Sequence, residues 1–331
     1  MTVYPVLAAL ILSTAAFAQT PDTGTAHKAA ATALLNPNNI GAAHLACPDF
    51  TALPGSTPAG RGPGRSAGGA GRGPAATPER ESWYAEGGQV FDNLYMLTTK
   101  ANSAWAVKTS AGIILIDTLF GYAAQDEIVD GMKKLGLDPA DIKYVVVSHA
   151  HGDHDGSVKF LQDSYKTRVI LSPEDWKLAG REANPYTHDL DATDGQKLTL
   201  GDTTITIYIT PGHTGGTLSF LIPVKDRGVP HMAMEWGGTA LSAATSKEML
   251  QSYISNAGRF KDISDGAGAD VIIGNHTEYN DALERLDRTR LRKPGEQNPW
   301  VVGKPEVAKY LTVVEECAKS WLAIEQGHPF N

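Results

Sequence analysis

Three histidines and an aspartate fall within six residues, His149-Ala150-His151-Gly152-Asp153-His154, directly after the apolar run Tyr144-Val145-Val146-Val147. A short run that is apolar at every position reads as a strand buried on both faces. The cluster therefore sits where a rigid scaffold releases a loop, a common place for functional groups. Packed together without an ion, three imidazoles and a carboxylate would face one another with unpaired donors or like charges, whereas a divalent zinc ion satisfies their lone pairs directly. Strand-like alternation is expected to aim His149 and His151 the same way. Asp153 and His154 would turn back across a corner at Gly152 toward a second site. The bland alternative is a polar surface loop with coincidental histidines. Together with His213 and His276 the set takes five of the ten histidines in the chain, which favours the metal.

Composition fits a globular protein acting on something small. Hydrophobic residues make up 42% and charged residues 20% of the 331 positions, enough for a substantial core and unlike a disordered chain. The net charge of -8 argues against a nucleic-acid partner, which needs clustered Lys and Arg. A small-molecule substrate is expected instead. Residues 1–18 read as a secretory signal, with an apolar stretch from Val6 to Leu12 and Ala16 and Ala18 forming a cleavage site before Gln19. The usual Lys or Arg before the apolar stretch is missing. A periplasmic or secreted protein with no membrane anchor after signal removal is the expectation. Cys47 and Cys317 would then lie in an oxidising compartment, as a disulfide or as two separate thiols; their spacing is too wide to suggest a metal site.

The chain divides by composition. An amino-terminal extension over 19–53, with an Ala-rich stretch around Lys28 to Leu35, precedes a linker or long loop over 54–81 dominated by Gly, Pro, Ala, Ser and Arg. A catalytic domain is expected over 82–331. Its β-rich runs Val90–Thr98, Ala104–Lys108 and Ile113–Asp117 have the spacing of an antiparallel meander. Ile128, Met132 and Leu135 recur at helical spacing, with Gly136 as the stop. Further strands are expected at Arg168–Leu171, Thr204–Ile209, Thr217–Ile222 and Val271–Ile273, and helices around Lys247–Phe260 and Val307–Ile324. Two sheets flanked by helices fit this α/β order.

The His-x-His-x-Asp-His run after a strand resembles the signature of the metallo-β-lactamase superfamily. The resemblance spans Gln89 to Glu278 and takes in Asp117, Thr210-Pro211-Gly212-His213-Thr214 and Asn275-His276-Thr277. It implies a four-layer αβ/βα sandwich with two zinc ions along the edge where the sheets meet. Carried over residue by residue, it puts His149, His151 and His213 on the first ion and Asp153, His154 and His276 on the second. Asp117 is expected beside the metals, accepting an imidazole N–H from a ligand.

One departure bears on the subclass. Many members place an aspartate between the last two histidine motifs that bridges both metals, and here the sequence has Met234-Glu235-Trp236-Gly237-Gly238. Glu235 precedes a bulky tryptophan and is expected not to ligate. A dizinc site of histidine and aspartate without the bridging carboxylate resembles the third subclass. The resemblance then implies hydrolysis by zinc-activated water, with Asp153 orienting it and a β-lactam as the foremost substrate. A lactonase or another ester or amide hydrolase is the alternative, and a non-catalytic exported metal-binding protein is the alternative from another class. Loops Pro185–Asp194 and Trp236–Ala244 are the expected substrate surroundings; Tyr186 and Ser242 are candidate contacts there, with the ordinary loop residue as the favoured reading of each.

Overall fold

A computed structural model of the chain describes residues 23–48, 77–180 and 185–326. The expected signal, and the linker up to residue 76, lie outside the described residues. Helices, in chain order, are α1 (Gly24–Ala33), α2 (Ile40–Ala46), α3 (Arg80–Trp83), α4 (Asp130–Lys134), α5 (Val158–Tyr165), α6 (Pro173–Ala179), α7 (Lys247–Gly266), α8 (Ala282–Arg290) and α9 (Lys304–Glu325).

Seven strands form one sheet in sequence order: β1 (Gly88–Phe91), β2 (Leu94–Thr98), β3 (Ser103–Thr109), β4 (Gly112–Ile116), β5 (Ile142–Val146), β6 (Arg168–Leu171) and β7 (Leu190–Asp191). The first four pair antiparallel and the rest parallel. Five more, β8 (Gln196–Leu200), β9 (Thr203–Ile209), β10 (Leu218–Asp226), β11 (Val229–Glu235) and β12 (Val271–Ile273), form a second sheet in the order β12-β11-β10-β9-β8.

The two-residue period of a strand sorts the apolar side chains into three cores. Trp105 and Val107 of β3 and Ile114 and Ile116 of β4 meet Ile205, Ile207, Phe220, Ile222 and Val271 between the sheets. The intervening Ala104, Ala106, Ile113 and Leu115 face outward, where Ile128, Met132, Val158, Leu161 and Trp176 cover them. On the far side Leu221, Met234, Trp236 and Ile272 meet Tyr253 and Phe260 of α7 and Tyr310, Leu311 and Val314 of α9. Helix, sheet, sheet and helix are thus four layers, the expected α/β sandwich.

Several elements differ from their sequence outlines. The run Val90–Thr98 is two strands, because Asp92 and Asn93 turn the chain between β1 and β2. The helix expected around Ile128 begins as a π-helical segment, Ala124–Val129, and continues as α4. It ends at Gly136, whose φ of +72° suits glycine and lets Leu137 N–H reach Met132 O at 2.9 Å.

Residues 23–48 of the expected amino-terminal extension pack onto the outer helical layer: Ala31, Ala42, Ala43 and Ala46 lie against α9. A disulfide joins Cys47, after α2, to Cys317 in α9. No helix among the described residues is long and apolar enough to cross a membrane.

Candidate metal centre

The strand ends of both sheets deliver the site to one edge of the sandwich. Asp117 follows β4, the His149–His154 run follows β5, His213 lies in the β9–β10 connection, and His276 follows β12. At that edge the sheets are joined: Trp105 Nε1 and Ser103 Oγ both donate to Gly274 O at 2.9 Å, and Ser103 N–H donates to Asn275 O at 2.9 Å. These bonds hold β12, and so His276, against the start of β3.

The run itself is not extended. His151 N–H donates to His149 O at 2.9 Å and His154 N–H to His151 O at 2.8 Å, so successive tight turns replace the expected alternation. Gly152 is no forced corner, since a side chain there would meet nothing within 4 Å. The turns still divide the side chains between two triads.

Ligand atoms of His149, His151 and His213 lie within 4.8 Å of one another, and so do those of Asp153, His154 and His276. All six sequence-derived residues are therefore brought together in two groups, each able to hold a metal ion. His213 Nε2 stands 3.2 Å from His151 Nδ1, and His154 Nε2 stands 3.2 Å from His276 Nε2. Asp153 Oδ2 is 3.4 Å from both His154 Nε2 and His276 Nε2.

The outer nitrogens of three ligand histidines are tied to acceptors. His213 Nδ1 donates to Ala240 O at 2.7 Å, His154 Nδ1 to Asp117 Oδ2 at 2.9 Å, and His149 Nδ1 to Ser148 Oγ at 3.2 Å. Such anchoring fixes each tautomer and turns the remaining lone pair inward, as ligand imidazoles require.

Electrostatics of the first triad agree with its role as a donor set. Burial, reinforced by neighbouring imidazoles, holds His149 well below the ordinary histidine value and His213 down to about 4. Both therefore keep a lone pair at neutral pH. Burial opposes charge on His154 too, yet Asp153 and Asp117 push it up to about 9. Burial would raise Asp153, but His154 and His276 hold it well below the usual carboxylate range. A triad containing an ionised carboxylate and two imidazoles has the chemistry of a cation site.

Several supporting residues carry no signal in the sequence. Ser148 Oγ donates to Asp117 Oδ2 at 2.8 Å and accepts from Asn275 Nδ2 at 3.0 Å. Asn102 Nδ2 donates to Asp153 Oδ2 at 3.0 Å. Asp175, buried in the first turn of α6, accepts from Ala150 N–H and Thr214 Oγ1, each at 2.9 Å. It thereby joins the loop of His149 and His151 to the loop of His213. Serine, asparagine and aspartate are too common for any of these to stand out before the fold brings them together.

Glu235 does not join either triad. It shares the inward face of β11 with Ala233 and lies fully buried, both carboxyl oxygens without a hydrogen-bond partner. Burial, with Asp117 nearby, raises its pKa well above the ordinary value. Gly237 and Gly238 follow it, and a Cβ on Gly238 would stand 2.4 Å from His213 Cβ. A side chain at that position would collide with His213.

A cavity of about 350 Å³ opens beside the first triad, lined by His151, Glu174, Asp175, Lys177, His213 and Gly215 among others. Neither Tyr186 nor Ser242 lines it. Tyr186 Oη donates to Asp155 Oδ2 at 3.1 Å, and exposed Ser242 closes a turn by taking Ala244 N–H at 3.2 Å.

Residues 97–227 match the family model of the metallo-beta-lactamase superfamily, and the chain contains a domain of that superfamily. Among curated proteins, the N-acyl homoserine lactonase AttM of Agrobacterium fabrum is 36% identical over 112 residues, covering 28% of this chain and 41% of that protein. The chain thus spans less than half the length of that relative. Among solved structures, a subclass B3 metallo-beta-lactamase of Bradyrhizobium japonicum aligns at 26% identity with a TM-score of 0.62, over 73% of this chain and 96% of that one. The metallo-beta-lactamase GOB-18 of Elizabethkingia meningoseptica shares the fold at 21% identity and a TM-score of 0.61, over 78% of this chain and 100% of that one.

Proposed function

We propose that the chain is a zinc-dependent hydrolase that opens a cyclic amide, foremost a β-lactam. The observation that carries this reading is the pair of adjoining triads, all histidine and aspartate, with Glu235 in neither. His149, His151 and His213 would hold one zinc ion and Asp153, His154 and His276 a second. The chemistry such ions supply is activation of water near neutral pH and polarisation of a carbonyl.

The protein's own groups do the rest. Asp153, kept ionised by His154 and His276, accepts a hydrogen bond from the attacking water and orients it. Asn102 steadies that carboxylate by donating to Oδ2. Asp117 and Ser148 keep His154 and His149 turned with their lone pairs inward. The cavity beside His151 and His213 is open to a small molecule. No nucleophilic side chain is required.

The B3 enzyme of Bradyrhizobium japonicum supports the β-lactam, being similar over nearly its whole length. The match to the AttM lactonase supports a second reading, in which the ring opened is a lactone. The Cys47–Cys317 disulfide supports export to the periplasm or beyond, because such bonds persist in oxidising compartments.

The test is a panel of β-lactams and lactones given to the zinc-loaded protein beside His151→Ala and Asp153→Ala. β-lactam opening by the wild type, lost in both variants, is expected. Opening of lactones alone would transfer the reading to the lactonase. Two bound ions without turnover would make the chain a metal-binding protein.

A further inference from the structure

We propose that Phe120 and Tyr122 form an aromatic platform on the Asp153 side of the site that selects substrates carrying an aromatic ring. The proposal rests on the hydrolase reading and names a substrate class for it.

The loop that carries the two rings is held in an unusual shape. Asp117 and Leu119 adopt φ of 59° and 58°, a left-handed conformation that non-glycine residues rarely take. Strained backbone of this kind persists where surrounding contacts over-determine it, and it concentrates at functional sites. The contacts here come from the loop that bears Asp153 and His154. Thr118 N–H and Oγ1 donate to His154 O at 2.7 and 2.9 Å, Ser157 N–H donates to Thr118 Oγ1 at 3.1 Å, and Ser157 Oγ donates to Phe120 O at 3.2 Å. Gly121 and Gly156 let the two backbones touch: a Cβ on Gly121 would stand 2.8 Å from Gly156 O. Residues 118–122 are therefore tied to the loop of the second triad.

That shape sends neighbouring side chains in opposite directions. Leu119 is fully buried in the outer core, whereas Phe120 and Tyr122 remain half-buried at the surface. Their rings stack with centroids 5.1 Å apart at 12°, and Tyr122 leans on buried Trp83 at 5.2 Å. The stack is thus rooted in the core and ends at the half-exposed Phe120. The backbone bonds of Thr118 and Phe120 to His154 and Ser157 seat this stack beside the loop of the second triad.

The two flanks of the site differ in kind. On the first-triad side the cavity carries the exposed Lys177–Glu174 ion pair, a charged surface suited to polar groups. Beside the loop of the second triad stands the half-exposed Phe120 end of the stack, and an aromatic face favours a flat ring in offset or edge contact over an alkyl chain of similar size. A substrate spanning both flanks would place an aromatic group on the Phe120 and Tyr122 side.

Zinc-directed thiols test this without turnover. Benzyl mercaptan and 1-butanethiol would be titrated into the zinc-loaded protein by calorimetry, beside Phe120→Ala, Tyr122→Ala and Tyr122→Phe, with zinc content measured for each. The wild type is expected to prefer the benzyl thiol about five- to tenfold. Both alanine variants should lose that preference at unchanged zinc content, and Tyr122→Phe should keep it, because the ring and not the hydroxyl makes the platform. No preference in the wild type, no thiol binding, or a preference surviving in both alanine variants would overturn the proposal. A protein that shows the preference yet opens no cyclic amide or ester would instead overturn the hydrolase reading alone.

Discussion

Asp117 grips Ser148 with both carboxylate oxygens, taking its amide at 2.6 Å and its hydroxyl at 2.8 Å. Through that hydroxyl it reaches His149 Nδ1, and directly it takes His154 Nδ1. One buried carboxylate thus orients an imidazole in each triad. Asp117→Asn is predicted to weaken zinc binding at both positions by about 10- to 100-fold, the usual effect of removing a group that orients a ligand imidazole. Competition with a chromophoric chelator measures it, and unchanged affinity would show that the rings orient themselves.

Asp175 is predicted to matter more to one triad than to the other. Its carboxylate joins Ala150 N–H to Thr214 Oγ1, and both lie in loops that carry first-triad ligands. Asp175→Ala leaves Ala150 N–H unpaired in a buried place, at a cost of about 1–3 kcal/mol, while Thr214 Oγ1 keeps Thr217 Oγ1 at 2.8 Å. Zinc titration of the variant should show the first site weakened about tenfold with the second little changed. Asp175→Asn, which keeps an acceptor oxygen, should recover most of the loss. Equal weakening at both sites would mean that Asp175 supports the fold generally.

The disulfide ties residues 270 positions apart, so it removes much freedom from the unfolded chain. Loop-closure arguments give about 3–5 kcal/mol for long loops. Replacing Cys47 and Cys317 together by serine should lower Tm by roughly 5–10 °C. Reductant should lower the wild-type Tm similarly and leave the double variant unmoved.

Glu127 supplies a pH dependence away from the site. Burial pushes its carboxyl up to about 8, against weaker opposing effects of Ala85 N–H and Arg80. With the folded value raised above the unfolded one, its contribution to stability is fully present below the ordinary glutamate range and is lost as pH rises through about 8. Glu127→Gln cannot ionise. The variant's Tm should therefore gain on the wild type between pH 5 and 8, with no further gain above. A constant difference across that range would show that Glu127 is solvated.

The parts of this molecule that were legible in the sequence share a reason. His149, His151, Asp153, His154, His213 and His276 stand out because histidine is scarce and the motif concentrates it. Strands such as β4 and β9 announce themselves by β-branched runs. By contrast β11 opens Val229-Pro230-His231-Met232, with no alternation and a proline, and becomes a strand because Phe220 and Ile222 of β10 pair with Glu235 and Ala233. Ser148, Asn102 and Asp175 were illegible for another reason: their partners lie in loops that only the folded sheets bring near. The expected alternation of His149 and His151 failed because β5 ends at Val146 and local turns take over.

Elemental analysis of zinc in the dialysed wild-type protein, beside His151→Ala and Asp153→Ala, tests the two-triad centre most directly. Two zinc ions per wild-type chain and about one in each variant are predicted, since each substitution dismantles one triad. A wild-type chain holding one ion or none, or variants that both retain two, would contradict it.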